Sequence, residues 1–165
     1  DRFDRLGLHG RRGFISLRSL VTAHVGGLEQ SWADMAVTLR KAGWINERDA
    51  TLMERLHHFG TLIGNTDMHG GNLSFWLTSH RPLSLAPVYD MLPMRYAPDR
   101  AGDQYNATLS LDPPLPQEMA AWRWAAELAE QYWHAASTLQ TVSAPMREIC
   151  LANWQGVRRL REAFP

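Results

Sequence analysis

An aspartate, an asparagine five residues later and a second aspartate after a short apolar stretch are the side chains best suited to chemistry here. They are Asp67 and Asn72 in Gly64-Asn-Thr-Asp-Met-His-Gly-Gly-Asn72, and Asp90 in Tyr89-Asp90. Magnesium takes hard oxygen ligands and keeps water or phosphate in its remaining positions, so a carboxamide and a carboxylate suit it. A loop next to a helix end can aim the Asp67 carboxylate at a substrate hydroxyl. Together these groups fit phosphoryl transfer: one Asp orients the acceptor, and an Asn and an Asp hold metal at a nucleotide's terminal phosphate. Gly70 and Gly71 are expected to let backbone pass close to a bulky ligand. Taken singly, Asp67 equally suits a turn cap and Asn72 a positive-φ loop position. The ordered set, with Tyr89-Asp90 behind it, weighs toward a site.

The elements that must hold these residues are mainly helical. Asp1 to Arg5 reads as extended and Gly13 to Leu17 as a short strand, with Leu6 to Gly10 turning between them. Ser31 caps a helix over Trp32 to Ala42, with Asp34 in its first turn. Asn46 caps a longer one from Glu47 to Ile63, with an apolar face of Leu52, Leu56, Phe59 and Ile63 that delivers the chain into the Asp67 loop. Leu73 to Leu77 and Leu83 to Val88 read as two strands turning at His80-Arg-Pro82, a hairpin expected to carry Asp90 back beside Asp67. Pro93 to Pro116 reads as loop, followed by helices over Gln117 to Ser137 and Ala144 to Ala163. Trp122, Trp124, Leu128, Tyr132 and Trp133 are expected in the core.

Composition excludes several classes. The 165 residues suffice for one domain or one large lobe with a real core. Seventeen basic residues balance seventeen acidic ones, so the electrostatic footprint of a nucleic-acid binder is missing. Arg11-Arg12 and Arg158-Arg159-Leu160-Arg161 read as solvated faces. No apolar run reaches the roughly 18 residues of a membrane span. One cysteine, Cys150, leaves no internal disulfide and reads as a buried small hydrophobe in a cytoplasmic protein. His57-His58 lack the i, i+4 zinc spacing and read as structural. The first residue is Asp1 rather than Met, which leads us to expect a piece of something longer. Only Lys41 among the basic residues is a lysine, and it sits where a helix should end before Gly43. It does not read as the strand lysine with which a kinase grips phosphates.

Ile63-Gly-Asn-Thr-Asp-Met-His-Gly-Gly-Asn-Leu-Ser74, Leu85-Ala-Pro-Val-Tyr-Asp-Met-Leu-Pro93 and the opening Asp1-Arg-Phe-Asp-Arg5 occur in that order. In these segments the chain resembles the HipA-like serine/threonine kinases of bacterial toxin–antitoxin modules. The resemblance covers residues 1–165 as a C-terminal kinase-like lobe, an α+β and mainly helical fold with small β-hairpins at the nucleotide site. It implies Asp67 as catalytic base and Asn72 and Asp90 as magnesium ligands. Asp4 and His69 match ribose contacts, and the backbone around Asp1 and Phe3 matches the interlobe hinge that meets the adenine edge. It also implies ATP and magnesium as cofactors and a protein substrate, in known members an aminoacyl-tRNA synthetase. A helix-turn-helix antitoxin is the implied partner.

Alternatives stay open at single residues. Asp4 can pair with Arg2 or Arg5, and His69 can serve packing. Met68 and Gly71 depart from the polar or small residue and the lysine found in relatives. The Gly-rich loop and strand lysine of an N-terminal lobe are absent, so the chain by itself is expected not to transfer phosphate efficiently. Aminoglycoside and choline kinases share a His-Gly-Asp-x-His-x-x-Gly-Asn run, but Asn65 replaces their first His and Tyr89-Asp90-Met-Leu-Pro their usual Ile-Asp-Trp/Phe. A pseudokinase-like interaction module is the non-enzymatic alternative. A metallophosphatase, suggested faintly by Gly64-Asn65-Thr66-Asp67, lacks its other ligand motifs.

Overall fold

A computed structural model of the protein describes residues 3–26, 30–102, 105 and 107–165. Asp1 and Arg2 lie outside the described residues, so Asp1's assignment to the adenine edge and Arg2's pairing with Asp4 have no structural counterpart. The described residues are mostly helical, with two small two-stranded sheets. They form two compact units: residues 1–57 with 68–91, and residues 58–67 with 92–165.

In the first unit, strands β1 (Arg5–Leu6) and β2 (Gly10–Arg11) pair antiparallel around a turn in which Gly7 takes φ +60°. Of the start expected as extended, residues 3–4 form a turn, and the strand at Arg5–Leu6 pairs with residues 10–11 rather than with the Gly13–Leu17 segment. Strand β3 (Phe14–Ser16) pairs instead with β4 (Ser74–Trp76), with Ile15 opposite Phe75. The expected hairpin is thus reduced. Residues 83–88 form no strand and touch β4 at one bridge, Phe75 to Leu85, flanked by the bonds Trp76 N–H to Ser84 O and Ala86 N–H to Ser74 O, both 2.8 Å. Pro82 and Pro87 limit the donors available for a longer ladder.

Leu17 ends no strand; it opens helix α1 (Leu17–His24), an element the sequence reading lacked. Ser16 caps it by accepting the Ser19 N–H, and Leu17, Leu20 and Val21 are buried at helical spacing. Helix α2 (Trp32–Lys41) agrees with expectation. The Ser31 hydroxyl accepts the Asp34 N–H at 3.1 Å, and Trp32, Met35, Ala36 and Leu39 form the buried stripe. Lys41 closes the helix and Gly43 turns out of it at φ +70°. Helix α3 (Glu47–Leu62) starts at Asn46, whose Oδ1 accepts the Asp49 N–H at 2.8 Å. Ala50, Met53 and Leu56 bury in this unit, so Met53 takes the place assigned to the half-buried Leu52. These residues join Leu17, Trp32 and Phe75 in one core.

The second unit is built on α4 (Met119–Thr138) and α5 (Ala144–Ala163), with a 3-10 turn at Pro116–Glu118 leading into α4. Trp122 meets Phe164 near one end and His134 meets Trp154 toward the other, so the helices run antiparallel. Ala121, Ala125, Ala126 and Ala129 are buried on α4 together with Trp122 and Trp133. The expected aromatic face is therefore narrower, since Leu128 is exposed and Trp124 and Tyr132 are half-buried. Among the described residues between Pro93 and Leu115, the 3-10 turn at Met94–Tyr96 is the only regular element. Cys150 is buried, and burial raises its thiol pKa. Arg158 pairs with Glu162 and Arg161 with Glu130, as befits solvated faces. Among the described residues no helix is long and apolar enough to cross a membrane.

Candidate functional site

In the first unit the loop from His69 to Leu73 is shaped by α1. The first N–H groups of a helix have no partner inside it. Here Leu17 N–H donates to Leu73 O and Arg18 N–H to Gly70 O, each at 2.8 Å. The approach is close enough that a Cβ on Gly70 would lie 3.0 Å from the Arg18 nitrogen. A Cβ on Gly71 would sit 2.7 Å from the His69 ring. Both glycines thus make room for the protein's own backbone and imidazole.

His69 is fixed at both ends. Its carbonyl accepts the Trp32 indole N–H at 3.1 Å and the Asn72 N–H at 3.1 Å, while its Nδ1 accepts the Gly71 N–H at 2.9 Å. An accepting Nδ1 puts the ring proton on Nε2 and makes that edge a donor, the property a ribose contact needs. Asn72, three residues on, is buried at 8 % exposure.

Tyr89 joins this loop to the second acidic segment. Its hydroxyl donates to Gly71 O at 2.7 Å and lies 2.7 Å from the buried Ser74 hydroxyl. The next residue, Asp90, is exposed and takes φ +53°, the one non-glycine residue with positive φ among those described. Asp tolerates this left-handed conformation better than most side chains, and it is a conformation that surrounding structure must impose. Phe3 stacks on Tyr89 with ring centroids 5.7 Å apart and meets Trp76 edge-on at 5.6 Å. Asp4 is buried, with the Arg5 guanidinium 4.0 Å from its carboxylate, and its carbonyl accepts the Arg12 N–H. Phe3, His69, Asn72 and Asp90 are therefore tied into one framework through Tyr89 and Gly71.

Asp67 is held by the second unit. Helix α3 ends at Leu62, whose carbonyl accepts the buried Trp133 indole N–H at 3.0 Å. Gly64 then turns the chain at φ +73°, and Asn65 N–H returns to Gly60 O at 2.9 Å. The buried Asn65 side chain accepts the Asp67 N–H at 2.9 Å, an Asx turn that leaves the Asp67 side chain exposed. Asn65, Tyr89, Ser74 and Trp32 are site-building residues that the sequence reading did not assign. An Asn two residues before an Asp was the visible signal for the first. For the others the partners are distant in sequence and left no local pattern.

As chemistry, the carboxamide of Asn72 and the exposed carboxylate of Asp90 are hard oxygen donors and fit magnesium. Among the described residues no three His, Cys, Asp or Glu side chains converge into a self-sufficient metal centre. That donor set suits a cation that keeps phosphate and water among its ligands rather than a closed zinc site.

Comparison with known proteins agrees with the sequence motifs. The profile of the HipA-like C-terminal domain matches residues 1–154. The chain is also 35% identical over 162 residues to a protein named Toxin YjjJ from Escherichia coli (strain K12), covering 98% of this chain and 36% of that relative. It spans about a third of the length of the curated relative it matches. The chain therefore belongs to the family of HipA-like C-terminal domains.

Proposed function

We propose that residues 1–165 are the lobe that supplies the catalytic base and metal ligands of an ATP- and magnesium-dependent serine/threonine protein kinase of the HipA toxin type. The observation that carries this reading is the bond from Tyr89 to Gly71, which couples the Asn72 loop to Asp90 and its imposed positive φ. Asp67 takes the proton from a substrate Ser or Thr hydroxyl as that oxygen bonds to the γ-phosphorus and the β–γ bridging oxygen departs with ADP. Asn72 and Asp90 hold magnesium, which when bound neutralises charge on the phosphates. His69, through its Nε2–H, and Asp4 bind the ribose hydroxyls, and the backbone near Phe3 meets the adenine edge. Lys41 ends α2, so a phosphate-gripping lysine has to come from outside these residues.

The relative's name, a toxin, supports this reading; a protein substrate and a helix-turn-helix antitoxin partner belong to the proposal through the family resemblance. The test is to express the full-length gene product and follow ATP-dependent labelling of a cell extract, beside Asp67→Asn. We expect labelling that the variant loses by at least about a hundredfold. Persistent labelling in Asp67→Asn sinks the assignment of the base. Magnesium-dependent nucleotide binding without labelling in the unaltered protein favours a non-enzymatic interaction module instead.

A further inference from the structure

We propose that Asn153, on α5, is a positioning residue for the Gly64–Asp67 turn, and through it for the Asp67 carboxylate. The inference rests on the reading of Asp67 as the base. Asn153 is 2% exposed and uses both ends of its carboxamide. Its Oδ1 accepts the Leu109 N–H at 2.9 Å, and its Nδ2 donates to the Tyr96 hydroxyl at 2.7 Å, which in turn donates to Ala107 O at 3.1 Å.

The two residues so held both close on Gly64. Tyr96 ends the 3-10 turn in which Arg95 N–H donates to Gly64 O at 2.9 Å. The Leu109 side chain packs on that glycine beside Arg95, its Cδ2 2.8 Å and the Arg95 Cβ 3.5 Å from where a Cβ would be. Gly64 leads directly into Asn65, whose side chain sets the Asp67 backbone. One buried side chain thus fixes the two walls of the turn that carries the base.

Helix packing alone does not call for this residue. An apolar side chain of similar size would fill the site without two polar atoms to satisfy, and a buried carboxamide is worth keeping where its bonds specify a geometry. The described residues between the 3-10 turn and Leu109 belong to no helix or strand, so removing these bonds should loosen the walls of the turn before the helices.

The experiment compares Asn153→Leu, Tyr96→Phe and Leu109→Ala in the full-length gene product, by amide hydrogen exchange and by steady-state kinetics. Exchange at the Arg95 and Asp67 amides should rise about tenfold in Asn153→Leu, while Ala125 to Ala129 inside α4 stay within about twofold. In the kinetics kcat should fall about tenfold or more with KM for ATP unchanged, because orientation of the base is lost and the nucleotide contacts are not. Faster exchange confined to the Leu109 amide, or a raised KM with kcat intact, overturns the proposal. Should Asn153→Leu exchange everywhere, Tyr96→Phe and Leu109→Ala decide by the same comparison of amides. The exchange result is independent of any phosphoryl transfer. A failure of the clasp is therefore distinct from a failure of the kinase reading, which Asp67→Asn tests.

Discussion

Tyr89 donates its phenol proton to the carbonyl of Gly71 across eighteen residues of chain, at 2.7 Å. Because that proton is committed, the Ser74 hydroxyl must donate to the Tyr89 oxygen, also 2.7 Å away. Phe3 covers the phenol ring, which shields the pair from water. This relay holds the peptide just before Asn72 against the residue just before Asp90. The two proposed metal ligands therefore each follow directly on a residue of this relay, Asn72 on Gly71 and Asp90 on Tyr89.

Replacing Tyr89 by Phe keeps the stacking on Phe3 and removes the relay. The Gly71 carbonyl and the Ser74 hydroxyl each lose a partner, which should cost about 1–3 kcal/mol of folding stability. Urea unfolding measures this, and isothermal titration should show weaker magnesium–nucleotide binding. Unchanged affinity in a folded Tyr89→Phe protein would mean that the relay does not serve the metal ligands.

Asp90 holds φ +53°, a region in which glycine is at ease and most side chains are strained. Asp90→Gly should therefore leave stability within about 1 kcal/mol of the parent, while magnesium-dependent nucleotide binding is lost. Asp90→Ala should unfold more readily than Asp90→Gly, because Ala must adopt the same φ without the polar side chain that eases it. If the Gly variant binds metal–nucleotide normally, Asp90 is not a ligand.

Gly71→Ala places a methyl group 2.7 Å from the His69 ring. The imidazole must swing away and gives up the Gly71 N–H that its Nδ1 accepts. We expect nucleotide affinity to fall by about tenfold, the loss of one hydrogen bond with some misorientation. Fold stability should change little. The comparison to make is ATP against a nucleotide lacking the ribose hydroxyls. If His69 reads the ribose, the variant should shrink the difference between them.

His58 supplies a pH dependence in the second unit. Burial lowers its pKa below the ordinary histidine value, and the charge of Glu118 opposes this only in part. Between the depressed folded value and the ordinary one, the unfolded chain binds more protons than the folded chain. Stability therefore falls as pH drops through the ordinary histidine range and levels once the folded side chain takes its proton. His58→Gln should flatten the slope of unfolding free energy between about pH 7 and 5. An unaltered slope in that variant would assign the dependence to other groups.

Much of this protein could be read from its sequence. Ser31 and Asn46 are local signals, and the helices they announce lie where expected because capping depends only on neighbours in the chain. The Asp67, Asn72 and Asp90 set was visible for a similar reason, since motif spacing survives in one dimension. Helix α1 was not legible. Phe14-Ile-Ser-Leu17 has strand composition, and the helix that follows is only eight residues long. It is completed by the Gly70 and Leu73 carbonyls from a segment more than fifty residues away. The hairpin expected between residues 73–77 and 83–88 is reduced to one bridge, while β4 takes β3, distant in sequence, as its strand partner.

The reasons for individual residues also needed the third dimension. Gly70 and Gly71 also leave room for Arg18 and His69. Asn153, which carries no sequence signal, bonds Leu109 and Tyr96 through both ends of its carboxamide. Sequence alone determined which atoms are present to do chemistry and the helices that cap themselves. Tertiary structure decided how those atoms are held, because hydrogen bonds between distant segments depend on a packing that no local pattern records.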